Sequence, residues 1–245
     1  MIQVDPIPTS GPGASVITLA RADRRNALDI EHCTGLAAAV KARVEAGDRA
    51  LVITGSGSAF CAGADFGGVT GDGFGPALHT MLRTIVNAPI PVVAAINGHA
   101  IGAGLQLAIA SDLRVAGPDA RFAVPTARLG LAVDPWTISR LVGLTGNGPA
   151  RHLLLSCTTI DRDAALRVGL ADKAGALDDA VALAADMATM APLTIRYIKE
   201  AANAAAPDLD TPEVLKAFEA CWQSHDLREG LAARAEGRPA AFRGE

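Results

Sequence analysis

Two short stretches place small residues where a buried strand would give way to irregular backbone. Phe60-Cys61-Ala62-Gly63-Ala64-Asp65 follows the apolar run that ends at Thr54, and Ala100-Ile101-Gly102-Ala103-Gly104 follows the one that ends at Ile96. With no bulky side chain in the way, a ligand can approach the main-chain N–H groups closely, and two such donors can hold one oxygen. If the second turn also opens a helix, the positive helix end favours an oxygen that gains negative charge during a reaction. Tight packing of strand against helix explains either turn taken alone. Their pairing turns the balance towards a ligand site.

Other residues carry chemistry on weaker grounds. A carboxylate can act as a base or cap a helix, and Asp134, in Leu129-Gly130-Leu131-Ala132-Val133-Asp134-Pro135-Trp136, precedes Pro, which makes it a good helix N-cap followed by its first helical residue. One carboxylate can do both. Trp136 either closes a pocket or packs in a core, the commoner role for a lone aromatic at a helix start. His99 stands beside Gly98 without a carboxylate or second histidine at ligand spacing, so it reads as a turn residue. Cys33, Cys61, Cys157 and Cys221 show no paired spacing and suggest neither a zinc site nor a disulfide scaffold, which points to a reducing cytoplasm. No metal site is expected.

The elements that must position these residues follow from periodicity. Ser15 to Leu19 reads as a strand, Ala27 to Glu45 as a helix with Asp29 near its start, and Ala50 to Thr54 as a buried strand stopped by Gly55-Ser56-Gly57. That is one βαβ unit. Pro91 to Ile96 repeats the strand signal, Gly98 to Gly104 reads as a turn, Leu105 to Ala110 as a helix and Leu113 to Val115 as a strand. Phe66 to Gly75 is glycine-rich and expected to be mobile, and Pro76 to Val86 resumes a helical pattern. Beyond Leu129 the pattern is mainly helical, through Trp136 to Gly143, Gly148 to Leu155, Arg162 to Gly169 and Asp178 to Met190. Pro212 to Ala235 suits a helix covering another surface, such as a neighbouring subunit.

A chain of 245 residues with 50% hydrophobic content can bury one substantial core. A net charge of -4 argues against nucleic acid as the main partner, although Arg21, Arg24 and Arg25 form a local basic cluster. Thr84 to Ser111 carries no Lys, Arg, Asp or Glu, but its prolines, glycines, Asn97, His99 and Gln106 break it into short pieces, so no membrane span is expected. Met1 to Gly13 shows no basic stretch leading into an apolar one, so no secretory signal is expected. Gly98, Gly102 and Gly104 miss the spacing of a dinucleotide fingerprint, and Gly55-Ser56-Gly57-Ser58-Ala59 is not a nucleophile elbow.

Taken together, Val16, Arg25-Asn26-Ala27-Leu28, Phe60 to Asp65, Asn97 to Asp112, Pro125 to Gly130 and Ser224-His225-Asp226-Leu227-Arg228-Glu229-Gly230 resemble the enoyl-CoA hydratase/isomerase family, or crotonase superfamily, over nearly the whole chain. The resemblance implies an α/β fold: a crotonase-like core of repeated ββα units over residues 1–190 and a C-terminal helical trimerisation region over 191–245. It implies an acyl-CoA or enoyl-CoA as ligand, in fatty acid metabolism, with no separate cofactor, and a homo-trimer or hexamer in the cytoplasm. It also implies an oxyanion hole from the N–H groups of Ala64 and Ala103, with the coenzyme near Arg24, Arg25 and Ala62. On charge alone Arg24 and Arg25 are equally a solvated surface pair. Where the family often sets an aromatic and a lysine against the nucleotide, the resemblance places Arg234 and Gly237.

The match departs where hydratases carry two glutamates, for those positions are Gln106 and Thr126 here. An amide cannot accept and return a proton near neutral pH, and a threonine hydroxyl is too weak an acid to replace a carboxylic acid. The expectation is weak or absent hydratase activity, with Gln106 and Thr126 as hydrogen-bonded pocket groups. Two functions stay open. One is a non-catalytic acyl-CoA binder, and the other is isomerase-type proton transfer by Asp134, where some family isomerases carry an aspartate.

Overall fold

The computed structural model describes residues 1–8, 13–65, 73–204, 219, 222–238 and 240. The chain divides into two compact units, Met1–Phe122 with Asp161–Ala205, and Ala123–Ile160 with Ala206–Glu245.

The first unit is built on a six-stranded sheet in the order β1 (Ile2–Pro6), β2 (Ala14–Leu19), β3 (Ala50–Gly55), β5 (Val92–Ile96), β7 (Leu113–Ala116) and β10 (Lys173–Ala174). β1 runs antiparallel to β2, and the other pairings are parallel. A parallel pair needs a crossover, and α1 (Ile30–Glu45) supplies the one between β2 and β3. A short strand and a helix follow each of the next two long strands: β4 (Ala59–Cys61) and α2 (Phe74–Val86) after β3, then β6 (His99–Ile101) and α3 (Ala103–Ala110) after β5. This is the repeated ββα pattern. β4 and β6 pair in parallel in a second sheet, with β8 (Arg121–Ala123) beside β6.

Side chains alternate along each strand, so the two faces of the large sheet have different partners. Ala50, Val52, Val93, Ala95 and Val115 pack with Ala180, Ala184 and Ala188, a stripe at helical spacing on α7 (Leu177–Ala188). Leu51, Ile53 and Ile17, also fully buried, lie at the alternate positions. All eight residues of α3 are buried, so its sequence shows no amphipathic period.

Two buried cations fasten the end of α3. The Arg114 guanidinium, 1% exposed, donates to the Ser111, Asp112 and Leu170 carbonyls and pairs with Asp172 at 2.6 Å. Lys199, on α8 (Pro192–Ala204), sends its ammonium to the Ile85 and Ile90 carbonyls at 3.1 and 3.0 Å and to Asp112 Oδ2 at 2.7 Å. Three donors meet three acceptors, which is what allows a lysine to be buried. β9 (Ile160–Asp161) and α6 (Arg162–Arg167) complete this part of the chain.

In the second unit the 3-10 turn Pro125–Leu129 leads to α4 (Pro135–Thr145) and α5 (Asn147–Ser156), and α9 (His225–Glu236) packs on the turn. That contact is close. A methyl group on Gly230 would overlap the Leu129 carbonyl and lie 3.0 Å from Leu129 Cα.

Several sequence expectations shift. Ala27 to Asp29 is not helical; Asp29 caps α1 by accepting from the His32 N–H at 2.8 Å. Gly98 to Gly104 is not all turn, because His99–Ile101 forms β6 against β4. His99 is thus an exposed strand residue. β1 and α8 have no counterpart in the sequence reading. The expected mobile stretch Phe66 to Gly75 lies mostly outside the described residues, and its last two members begin α2. Of Pro212 to Ala235, the segment from His225 is helical, while 212–218, 220 and 221 lie outside the described residues.

Candidate functional site

The two turns singled out by their small residues lie against each other in the first unit. A methyl group built on Gly104 would overlap the Cys61 carbonyl oxygen, and one on Gly63 would lie 3.0 Å from the Ile101 oxygen and 3.9 Å from the Ala103 nitrogen. Side chains larger than hydrogen at 63 and 104 would push the turns apart. Gly63 at φ 105° and Gly102 at φ 55° also hold backbone conformations that other residues rarely adopt.

The direction of each backbone donor follows from its peptide plane. Ala64 pairs with Leu28 as an isolated parallel bridge, in which Leu28 N–H donates to the Gly63 carbonyl and Asp65 N–H to the Leu28 carbonyl, both at 2.8 Å. In a trans peptide N–H points opposite to C=O, so with the Gly63 carbonyl turned towards Leu28 the Ala64 N–H faces away from it. Similarly, the Gly102 carbonyl accepts from Gln106 N–H at 3.0 Å, which aims it down α3 and sends the Ala103 N–H out of the helix start. Ala103 is the first residue of that helix, whose positive end it shares. Neither N–H has a hydrogen-bond acceptor among the described residues.

Next to these donors, Ala62 N–H donates to the Arg25 carbonyl at 3.0 Å, which joins two of the residues assigned to the coenzyme. Arg24 and Arg25 are exposed. Arg21 turns inward instead, pairing with Asp29 at 3.1 Å and Asp65 at 2.8 Å. The cluster of three arginines therefore presents two outward charges. Asn26, 1% exposed and left-handed at φ 56°, ties this loop to the strands: its amide donates to the Ser56 and Ala59 carbonyls at 2.9 and 2.7 Å. The sequence alone assigns Asn26 no role. Its signal was an asparagine in a loop, the residue that best tolerates left-handed backbone after glycine.

The charges here are biased by their surroundings. Burial pushes the Asp29 carboxyl up, but the His32 backbone and side chain and the Arg21 charge outweigh it and hold the group below its ordinary 3.8. Burial pushes the Cys61 thiol up to about 12, and Cys33 likewise, so neither is a nucleophile at neutral pH. Among the described residues no group of three metal-ligating side chains occurs, and no helix is long and apolar enough to cross a membrane.

Gln106 is buried within α3, one turn along from the Ala103 donor. Thr126, Asp134 and Trp136 belong to the second unit. Thr126 is half-buried in the 3-10 turn, where its carbonyl accepts from Gly130 and Leu131. Half-buried Asp134 caps α4: Oδ1 accepts from Thr137 N–H at 3.0 Å and Oδ2 from the Thr137 hydroxyl at 2.7 Å. Trp136 is the second residue of that helix and half-buried. Arg234 lies on α9, and Gly237 ends it in left-handed backbone.

Residues 10–245 match the family model described as enoyl-CoA hydratase/isomerase. The chain belongs to this family. It is 44% identical over 245 residues to a protein of Mycobacterium leprae named probable enoyl-CoA hydratase echA6, covering 96% of this chain and 98% of that one. It is 34% identical over 206 residues to the crotonyl-CoA hydratase of Syntrophomonas wolfei, covering 78% and 79% of the two chains. The fold matches the crystal structure of an enoyl-CoA hydratase/isomerase from Pseudoalteromonas atlantica with a TM-score of 0.83, at 26% identity over 99% of each chain.

Proposed function

We propose that this protein binds acyl-CoA thioesters in fatty acid metabolism, with the thioester oxygen between the N–H groups of Ala64 and Ala103, and that it hydrates enoyl-CoA weakly or not at all. The observation that carries the reading is the pair of backbone donors on abutting turns, neither with an acceptor among the described residues and one of them at a helix start. Exposed Arg24 and Arg25, the latter accepting from Ala62 N–H through its carbonyl, suit the phosphates of the coenzyme. The thioester is itself the ligand, so no separate cofactor is invoked. Homotrimeric or hexameric assembly in the cytoplasm belongs to the same reading.

Weak hydration follows from Gln106 and Thr126 standing where hydratases carry glutamates. General acid–base groups contribute roughly 10²–10⁴-fold each, so without both, positioning and oxyanion stabilisation remain. A second reading, isomerase-type proton transfer, rests on Asp134, whose carboxylate is half-buried and capping.

Proline tests the placement, because position 103 is the first of a helix, where proline is tolerated while its missing N–H removes the donor. Ala103→Pro should fold and bind acyl-CoA no better than free CoA, measured by calorimetry. Folded Ala103→Pro that keeps the parent's acyl-CoA affinity would overturn the reading. Turnover of crotonyl-CoA at rates ordinary for enzymes, about 1–10³ s⁻¹, would refute the role assigned to positions 106 and 126.

A further inference from the structure

The guanidinium of Arg21 spans two loops. One end donates to Asp29 Oδ2 at 3.1 Å and to the Ala27 carbonyl at 3.3 Å, and the other to Asp65 Oδ2 at 2.8 Å. Asp29 follows Leu28 and Asp65 follows Ala64, so the two carboxylates flank the bridge whose hydrogen bonds turn the Gly63–Ala64 peptide. The backbone of Arg21 is anchored too: its N–H donates to Asn26 Oδ1 at 3.0 Å, and its carbonyl accepts from Asn26 and Arg24 at 2.9 and 3.1 Å. At 22% exposure, with partners at 25% and 15%, these pairs are partly shielded from solvent.

We propose that Arg21 is a positioning residue for the Ala64 donor: by joining Asp29 to Asp65 it holds the Leu28–Ala64 bridge and so aims the Ala64 N–H at the ligand oxygen. The inference rests on the acyl-CoA reading above. A planar fork reaches both carboxylates at once, whereas a lysine ammonium is a single point of charge, so the site calls for arginine. A purely structural arginine would lower stability and leave the donor's direction unchanged. This one acts on the peptide that carries it.

The test uses cinnamoyl-CoA, whose conjugated thioester absorbs further to the red when its carbonyl oxygen is polarised by hydrogen bonds. Free CoA and cinnamoyl-CoA affinities, the bound chromophore's shift and Tm are measured for the parent, Arg21→Lys and Arg21→Met. Arg21→Met should keep the parent's CoA affinity, lose about tenfold or more in cinnamoyl-CoA affinity and show a reduced shift. Arg21→Lys should fall between them. A full shift and full acyl preference in Arg21→Met, with only Tm lowered, would overturn the proposal. If Arg21→Met does not fold, Asp65→Asn decides by the same readouts: a reduced shift supports the clamp, and an undiminished one overturns it. A parent with neither acyl preference nor shift would instead refute the oxyanion reading itself.

Discussion

Consider adding one methyl group at Gly104, inside α3 and facing β4. That carbon would overlap the Cys61 carbonyl oxygen and lie 2.8 Å from the Cys61 carbonyl carbon and 2.9 Å from its Cβ. Carbon atoms pack best at about 3.5–4.0 Å, so α3 must retreat from β4 by about 1 Å. Overfilling a packed core costs about 1–3 kcal/mol. Backbone on both sides of the clash places this case at the upper end, and the gain of about 1 kcal/mol for alanine over glycine in a helix offsets only part of it. Gly104→Ala should therefore destabilise by about 2 kcal/mol and still fold. Because the retreat carries the Ala103 N–H with it, acyl-CoA affinity should fall as well. The same substitution at exposed Gly143 in α4, where nothing lies within 4 Å, should stabilise by about 0.5–1 kcal/mol. Urea denaturation followed by circular dichroism measures both. A Gly104→Ala midpoint at or above the parent's would refute the described packing of α3 on β4.

Three further outcomes are expected. Lys199→Met leaves Asp112 and the Ile85 and Ile90 carbonyls without their shared donor and should cost about 2–4 kcal/mol in urea denaturation; a change below about 0.5 kcal/mol would show that the ammonium contributes nothing net. Asp134→Asn keeps an equivalent N-cap, so stability should stay within about 0.5 kcal/mol, while solvent exchange of the acyl protons, followed by NMR, is abolished if Asp134 is a base and is absent from the parent if the protein only binds; exchange that persists in the variant would exclude Asp134 as the base. Asp48 has its carboxyl pushed up by burial but held below 3.8 overall by Arg43, so its contribution is present above that ordinary value and lost as pH falls through the lowered one. Between about pH 5 and pH 2 the parent should therefore lose more stability than Asp48→Asn, and parallel acid-unfolding curves would contradict this.

The parts legible in the sequence are those whose pattern is local. β3 and β5 stand out because strands buried on both faces read as continuous apolar runs, and α1 because Asp29 marks its start. The glycine turns read as following β3 and β5 directly, whereas β4 and β6 come between, each only three residues long and too short to show an alternation. β1 was missed because four of its five residues are exposed, leaving no apolar alternation to read. Lys199 gives no sign of burial, since lysine is almost always outside and its three acceptors come from distant segments. Arg21 looked like its basic neighbours, and what separates it is Asp65, on another loop. Single residues in that loop carry little information until the bridge between Leu28 and Ala64 brings the two segments side by side.

The two candidate donors are main-chain atoms whose direction is set by hydrogen bonds from Leu28 and Gln106 backbone N–H groups. Natural selection on such atoms leaves an unusual trace. Any small residue except proline keeps the N–H at positions 64 and 103, so drift there is nearly silent, whereas Gly63, Gly102 and Gly104 are held in place by backbone angles and overlap with neighbours. The bond that aims the Ala103 donor uses the peptide N–H of Gln106, which every residue but proline supplies at that position. On the proposed reading, a single substitution at position 106 thus alters the proton chemistry of the site and leaves its backbone anchor in place.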